Sequence, residues 1–535
     1  AGTVAIGHSA GAALTSGIGN VAIGFQALDA EDDGDQNTAV GYQALTAQTG
    51  TSGEVANTAV GYQSGLAITK GRDNTILGFQ ALITEDVGDK STAIGGKSLY
   101  SQNSDSDNEN ANNVGLGFGS GYHNVTGQNN TFLGTNAGYG ASGQSNSHNT
   151  GIGKGAMLAI ETGAANTVVG GDAGVALTDG HDNVMIGHDA AGVTTTVGYG
   201  VFIGRSVASG LMTAAADGTV AIGYNALDAL TSGAGNIAVG YQAANALVGA
   251  SHNVAIGYQA LKGQVDGNRI VAIGKGAMGL ADGSGSNDSS DNIFIGYLSG
   301  GGAWADASST KNVAIGSYTM DAVLDGALNN TCVGYGALGD LEEGANNTAL
   351  GTGAGDVITT GSNNVCIGKS TDTTAGNGDN QIVIGYNFTG NGDAKVSLGS
   401  DSGYVWNGFT SDNAWAQVSD VRLKKNINDD DLGLEFINEI RPVTFNWKPQ
   451  SEVDPEFIEW SANNKGEKDT ETLVHGFIAQ EVKAAMDKVG NTTFNGWEDT
   501  IDGQAVKREM FVMPLIKAVQ ELSQQVEDLK KKVGE

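Results

Sequence analysis

The stretch SDVRLKKNI at residues 419–427 sets a serine, Ser419, five positions before a lysine, Lys424. A serine hydroxyl is a weak nucleophile until a base removes its proton, and a lysine serves as that base only where burial lowers its pKa toward neutrality. Such a pair can cut an amide bond without a metal or a cofactor, and neither is expected here. The spacing by itself says little, since S-x-x-x-x-K recurs by chance in many proteins. Other groups with chemical potential point away from catalysis. Glycine-rich turns abound, yet none has the Walker lysine or the strand-to-helix setting that cradles phosphate. The acidic loops EDDGDQN at 31–37 and SDSDNENANN at 104–113 offer oxygen ligands for Ca²⁺ without EF-hand spacing, so a solvated surface is their expected role. Cys332 and Cys366 lie 34 residues apart, too far for a disulfide if that separation is two coils, and are expected to be small buried fillers.

The elements that position these residues are repetitive. Aligned on the glycine after a short apolar run, the chain has 23 units, from Gly7 and Gly24 to Gly385 and Gly399, and 14 of the 22 intervals are 17 residues long. The residue before each glycine is Ile, Val or Leu in all 23 units, and the third residue back is Val, Ile or Thr in all 23. Between them Ala is commonest, and four residues back Asn recurs in 16 units. This pattern predicts one short strand per coil and a parallel β-solenoid, or β-roll, over residues 1–400, on the order of 110 Å long at about 4.8 Å per coil. The Val/Ile positions, Val40 among them, are assigned to the core. The Ala row is assigned to an opposite face packed closely by a neighbour such as another subunit. The asparagines are expected to stack as a side-chain amide ladder. The glycine is expected where a Cβ would clash or φ is positive. One residue after it, Tyr, Phe or His stands in 13 of 23 units, as rings that cover the rod's edge or stack on sugars.

Composition narrows the partners. There are 84 glycines and only 4 prolines, and 27 basic against 59 acidic residues leave a net charge of −32. Such a chain repels phosphate backbones and anionic lipid, so neither nucleic acid nor membrane insertion is expected. No apolar run reaches the roughly 18 residues of a membrane span, and Ala1 opens no charged-then-apolar leader. The absence of an initiating Met is read as a fragment or processed chain.

The composition then changes. Residues 419–535 hold 7 of the 84 glycines, all 4 prolines and 15 of the 27 basic residues, as an ordinary globular domain would. The intervening DSGYVWNGFTSDNAWAQV, residues 401–418, carries Tyr404, Trp406, Phe409 and Trp415 and is expected to plug the end of the rod. A small α+β domain is assigned to 419–507 and a coiled-coil helix to 508–535. In that helix Val512, Val519, Val526 and Val533 recur every seven residues, with Leu515, Leu522 and Leu529 three residues behind the first three of them.

Two resemblances follow from these motifs. The units resemble the head repeats of trimeric autotransporter adhesins, which read S/N-V-A-I-G-x-x-A and form a left-handed parallel β-roll in a homotrimer; the repeat here is longer. Similar arrays look like those of marine phage tail fibres. SDVRLKKNI, IRPVTFNWKP at 440–449 and HGFIAQEV at 475–482 together resemble the C-terminal self-cleaving intramolecular chaperone of phage endosialidase-type tailspikes and neck appendages, in that family's order. The resemblance implies a homotrimer whose tail guides folding and then cuts itself off, with Ser419 as nucleophile and Lys424 as base. The cut bond is Val418–Ser419 or Ser419–Asp420. Asp420 holds the local backbone or polarises the bond, and His475 orients the pair or packs. The function so implied is that of a tail fibre or appendage in the virion, made in the host cytoplasm, joined to other tail proteins and to a host-surface receptor or glycan. A bacterial trimeric adhesin is the alternative, although this chain ends in KKKVGE where an autotransporter has a β-barrel. A glycan-cleaving tailspike is a lesser one, because the repeats show no paired carboxylates outside their own pattern.

Overall fold

A three-residue strand has too few hydrogen bonds to persist alone, and each one here is completed by the next coil. In the computed structural model, which describes residues 2–49, 53–107, 109–280, 289–305, 307–408, 420–449, 452–453, 470–500 and 503–534, the chain forms two compact units, Ala1–Gln417 and Val418–Glu535. In the first unit, the strands Val21–Ile23 and Thr38–Val40 pair in parallel with Val21 opposite Thr38, Ala22 opposite Ala39 and Ile23 opposite Val40. The same register joins all 23 rungs, from Val4–Ile6 to Lys395–Ser400, into one parallel β-solenoid. The strand Gly403–Gly408 then runs antiparallel to the last rung. Tyr404 packs on Phe388 at 5.6 Å and the Lys395 ammonium lies 4.5 Å from the Trp406 ring, so the hairpin covers the end of the stack. Phe409 and Trp415 lie outside the described residues.

The glycine column is forced by backbone proximity. From Gly7 to Gly385 each glycine has φ between 121° and 153°. A Cβ on Gly204 would lie 2.7 Å from the carbonyl oxygen of Gly223, and the other rungs are as tight or tighter. Both reasons for glycine therefore hold at once.

The asparagines stack, but chiefly onto backbone rather than onto each other. Asn57 Oδ1 accepts from the Asn74 N–H at 2.9 Å while Asn57 Nδ2 donates to the Gly71 carbonyl at 2.6 Å, and Asn253 repeats both contacts with Ile270 and Gly267. Amide-to-amide bonds join this pattern in places, such as Asn183 to Asn166 at 3.0 Å. These side chains are buried, and most of their amide donors find a partner inside the chain, Asn37 Nδ2 being an exception. A second ladder, which sequence reading missed, runs through the glutamines two residues after the glycine. Gln43 donates to Gln26, Gln63 to Gln43 and Gln80 to Gln63, each at 3.0 Å.

The assignment of faces is the reverse of the expected one. The middle residue of the strand is buried in every rung but the first, where Ala5 is exposed, and the flanking Val, Ile, Leu and Thr are buried in none. The core is the inward Ala row packed against Ala27, Leu28, Ala44, Leu45 and their successors on the opposite wall. A 17-residue coil is narrow: once the opposite wall supplies leucines, the strand side has room for little beyond Ala at most rungs. Val40 is accordingly half-buried on the outer face. Cys332 and Cys366 occupy the inward row as unpaired fillers, and burial pushes the Cys366 thiol up to about 12. The acidic loop at 31–37 is not wholly a solvated surface either. Glu31 is buried, its Oε1 accepting from the Gly34 N–H at 2.7 Å, and desolvation raises its carboxyl above the ordinary range.

Two outcomes follow for the shaft. Gly240→Ala should loosen the rungs 237–239 and 254–256 by about 2 kcal/mol or more, because a side chain at φ 139° carries roughly 1–3 kcal/mol of strain before the Gly257 carbonyl is displaced. Gly249→Ala, whose Cβ would meet only ordinary contacts at 3.6 Å, should leave them unchanged. Hydrogen exchange of those rungs measures the difference, and equal protection in both variants would refute the close-approach account. The second outcome concerns Asp372, whose carboxyl is pushed up to about 7 by burial and by the neighbouring Asp356. An acid whose folded pKa is raised holds its proton longer when folded, so its stabilisation is complete below an ordinary aspartate's value of about 3.9 and is lost as pH rises through about 7. Protection of the pair Thr371–Asp372 and Phe388–Thr389 should therefore fall between pH 5 and 8 after correction for intrinsic exchange. Asp372→Asn should flatten that profile.

Candidate functional site

The second unit is built around aromatic side chains. Phe436, Phe494 and Phe511 are buried together with Leu432, Val482 and Met486, and Phe477 stacks on Phe511 at 4.8 Å. The helix Leu434–Glu439 begins at Gly433, which has no side chain to cap it. The Glu521 carboxylate of the long helix Val512–Val533 accepts from the Leu434 N–H at 2.7 Å instead, which satisfies an orphan donor and opposes the helix dipole. A Cβ at Gly433 would collide with that carboxylate.

The second and third motifs meet in space. The strand Val443–Phe445 runs antiparallel to Val474–Gly476, which sets Thr444 opposite His475 and Val443 opposite Gly476. Arg441, from the second motif, forms an ion pair with Glu481 on the helix Ala479–Val489, from the third. A cleft of about 420 Å³ opens beside this ribbon, lined by Pro442, Thr444, His475, Phe477 and Arg508 among others. His475 is exposed on the cleft wall rather than enclosed in the phenylalanine core. Gly476 lies close under the Phe445 ring, since a Cβ there would stand 3.1 Å from Phe445 Cε1. Arg508 was not legible beforehand, because it lies outside the three motifs; Arg441 and Glu481 were legible only as motif members and not as a pair.

The first motif forms a single turn. Asp420 caps the 3₁₀ turn Val421–Leu423, its Oδ1 accepting from the Arg422 N–H at 2.8 Å, while the Arg422 guanidinium grips the same carboxylate at 2.6 Å. These hydrogen bonds from Arg422 hold the Asp420 carboxyl below the usual range. The backbone N–H of Lys424 closes the turn on the Val421 carbonyl at 3.1 Å, and the Lys424 side chain is exposed. Asp420 and Lys424 thus bound one turn, and His475 sits on the two-stranded ribbon. Ser419 and Val418 lie outside the described residues.

The aromatic row beside the shaft glycines has a definite geometry. Phe25, Tyr42, Tyr62 and Phe79 stack face to face with centroids 5.1–5.3 Å apart, and Tyr224, Tyr241 and Tyr258 do so at 5.0–5.5 Å. Where a lysine replaces a ring, Lys275 places its ammonium 5.8 Å from Tyr258 and 5.5 Å from Tyr297, continuing the column by cation–π contact. An interior ring therefore spends both faces on its neighbours and presents its edge to solvent.

No helix among the described residues is long and apolar enough to cross a membrane. No curated protein and no solved structure matches the chain. Residues 419–491 match a peptidase family described as the chaperone of endosialidase, and that span contains all three motifs, Asp420, Lys424 and His475. In this chain a parallel β-solenoid shaft precedes a C-terminal segment that is similar to the chaperone of endosialidase.

Proposed function

We propose that this protein is a homotrimeric phage tail fibre or appendage for host attachment, whose C-terminal domain brings three chains together and then cuts itself off beside Ser419. The observation that carries the reading is the position of the family match, which begins at Ser419, where the glycine-rich composition ends. A peptide cut at that point would release the chaperone and leave the shaft intact. The domain division proposed is the shaft over 1–400, a junction over 401–418, the chaperone over 419–507 and a coiled coil over 508–535.

The long helix supports assembly. Val512, Leu515, Val519, Leu522, Val526 and Leu529 are all exposed in the single chain, although they recur at heptad spacing, while Ala518 is buried. A row of apolar residues at a and d positions facing water is a seam that lacks its partner helices. The mechanism requires the same event. Ser419 attacks the adjoining carbonyl carbon as Lys424 takes its proton; the proton passes to the leaving amine, and water hydrolyses the ester. Burial is what makes a lysine competent for this step, and the Lys424 side chain is exposed in one chain, so closure of the site falls to assembly. Asp420 fixes the turn that presents Lys424, and His475 on the cleft wall is available to hold the substrate strand. Attachment to other tail proteins and to a host-surface receptor completes the proposed role. The stacked ring column offers few free faces for sugars, so recognition is placed in loops rather than along the column.

Expression of the full chain should yield a fragment of residues 419–535, whereas Ser419→Ala and Lys424→Arg should remain full length; intact mass and a denaturing gel decide this. Equal processing of the wild type and Ser419→Ala would remove Ser419 as nucleophile. Pairing Leu522→Glu with Val526→Glu should both abolish the trimer in sedimentation and slow cleavage at least tenfold. Unchanged cleavage by a sedimenting monomer would separate cutting from assembly.

A further inference from the structure

The outer face of the shaft sheet has an unusual make-up. Side chains alternate along a strand, so the two residues that flank the buried middle position, and the residue after the glycine, all point outward. The first two columns comprise 46 positions and hold no charged residue. The third comprises 23 positions, of which Lys154, Arg205, Lys275 and Lys369 are cationic and none is acidic, although the chain has 59 acidic residues. Along this strip apolar side chains meet water: Ile6 is 60 % exposed, Leu77 48 % and Leu350 50 %. Four strand steps of about 3.3 Å give a width of about 13 Å, and with a length on the order of 110 Å the strip covers roughly 1,400 Å². The largest apolar patch on an ordinary monomer is about 300–600 Å², and a stable interface takes about 800 Å² from each partner.

We infer that this strip is the seam along which copies of this chain join in the shaft. The inference rests on the trimer reading above and names the surface that the trimer buries. Three properties of the strip select a second copy over any other occupant. Its columns repeat at one fixed coil spacing, and only a partner with that same spacing can match them rung by rung over the whole length. It is the face on which carboxylates are absent, so two chains that each carry a net charge of −32 can approach there without like-charge contact. Eight of its 13 rings stack in two runs, His8 to Phe79 and Tyr224 to Tyr258, as Tyr42 on Tyr62 at 5.1 Å, which withholds most of the faces that a glycan would use. The Ala row, by contrast, is consumed by the chain's own core and is not available to a neighbour.

The test uses two positions of matched exposure in the single chain, Ile256 on the strip at 38 % and Val248 on a turn away from the strands at 37 %. The native Cys332 and Cys366 are buried and contribute little background. Ile256→Cys and Val248→Cys are made in the full chain, purified as assembled, and labelled with a thiol-reactive maleimide followed by mass. Ile256→Cys should react at least tenfold more slowly than Val248→Cys in the native assembly, and at the same rate in denaturant. Ile222→Cys is the second strip variant if Ile256→Cys does not assemble, and should be protected alike. Equal labelling on a species that sediments as three copies would overturn the seam and leave the trimer standing. A wild-type chain that sediments as one copy would overturn both.

Discussion

Each coil of the shaft satisfies its strand backbone with the coils on either side of it. The Val4 N–H reaches the Asn20 carbonyl, Gly24 reaches back to Ile6, and Asn57 uses both ends of its amide to hold the next turn. Everything else in the shaft is arranged around that approach. Glycine is kept wherever two backbones touch, Ala is kept where the coil is too narrow for more, and left-handed residues recur at Gln26 and Leu28 because the ladder overdetermines them. The stack has no internal reason to stop. It ends at Lys395–Ser400 because Gly403–Gly408 turns back antiparallel and occupies the open edge.

Much of this was readable beforehand, for a physical reason. A glycine required by contact between backbones leaves no alternative residue, so its spacing survives as a plain 17-residue rhythm, and the small inward residues and buried asparagines travel with it. The glutamine ladder was equally visible in the recurring GYQ, but Gln on a surface has many uses and gave no unique signal. The inversion of the faces was not readable. Branched apolar residues at every rung suggest a core by the ordinary rule that such residues leave water, and that rule does not state which molecule removes the water. In the single chain Ala22 and Ala39 fill the interior while Ile23 and Val40 face outward.

The C-terminal unit was legible in a different way. Its three motifs could be identified as strings, but strings do not show that Arg441 would reach Glu481 or that Thr444 would lie opposite His475. Those pairings join residues far apart in the chain, and no periodic signal links them. Arg508 reached the cleft from a short 3₁₀ segment with no motif of its own. The proposal for Ser419 stands on the family pattern alone, because a serine and a lysine five residues apart carry no geometric promise by themselves.

Repetition of this kind creates a problem that the shaft cannot solve from within. If one chain slides along another by a single coil, it forfeits one rung in 23 and recovers nearly all the rest, since most intervals are the same length. The strip makes this sharper: its two flanking columns hold only Val, Ile, Leu and Thr, so burial distinguishes one alignment from the next only weakly. In the proposed trimer register is better set by an end than by an average, and a unit with a globular core and a heptad-spaced apolar row would have one way to meet its copies where the shaft has many. Once the first rungs of three such chains were paired, each later coil would close beside one already in place, and the choice of alignment would be made once.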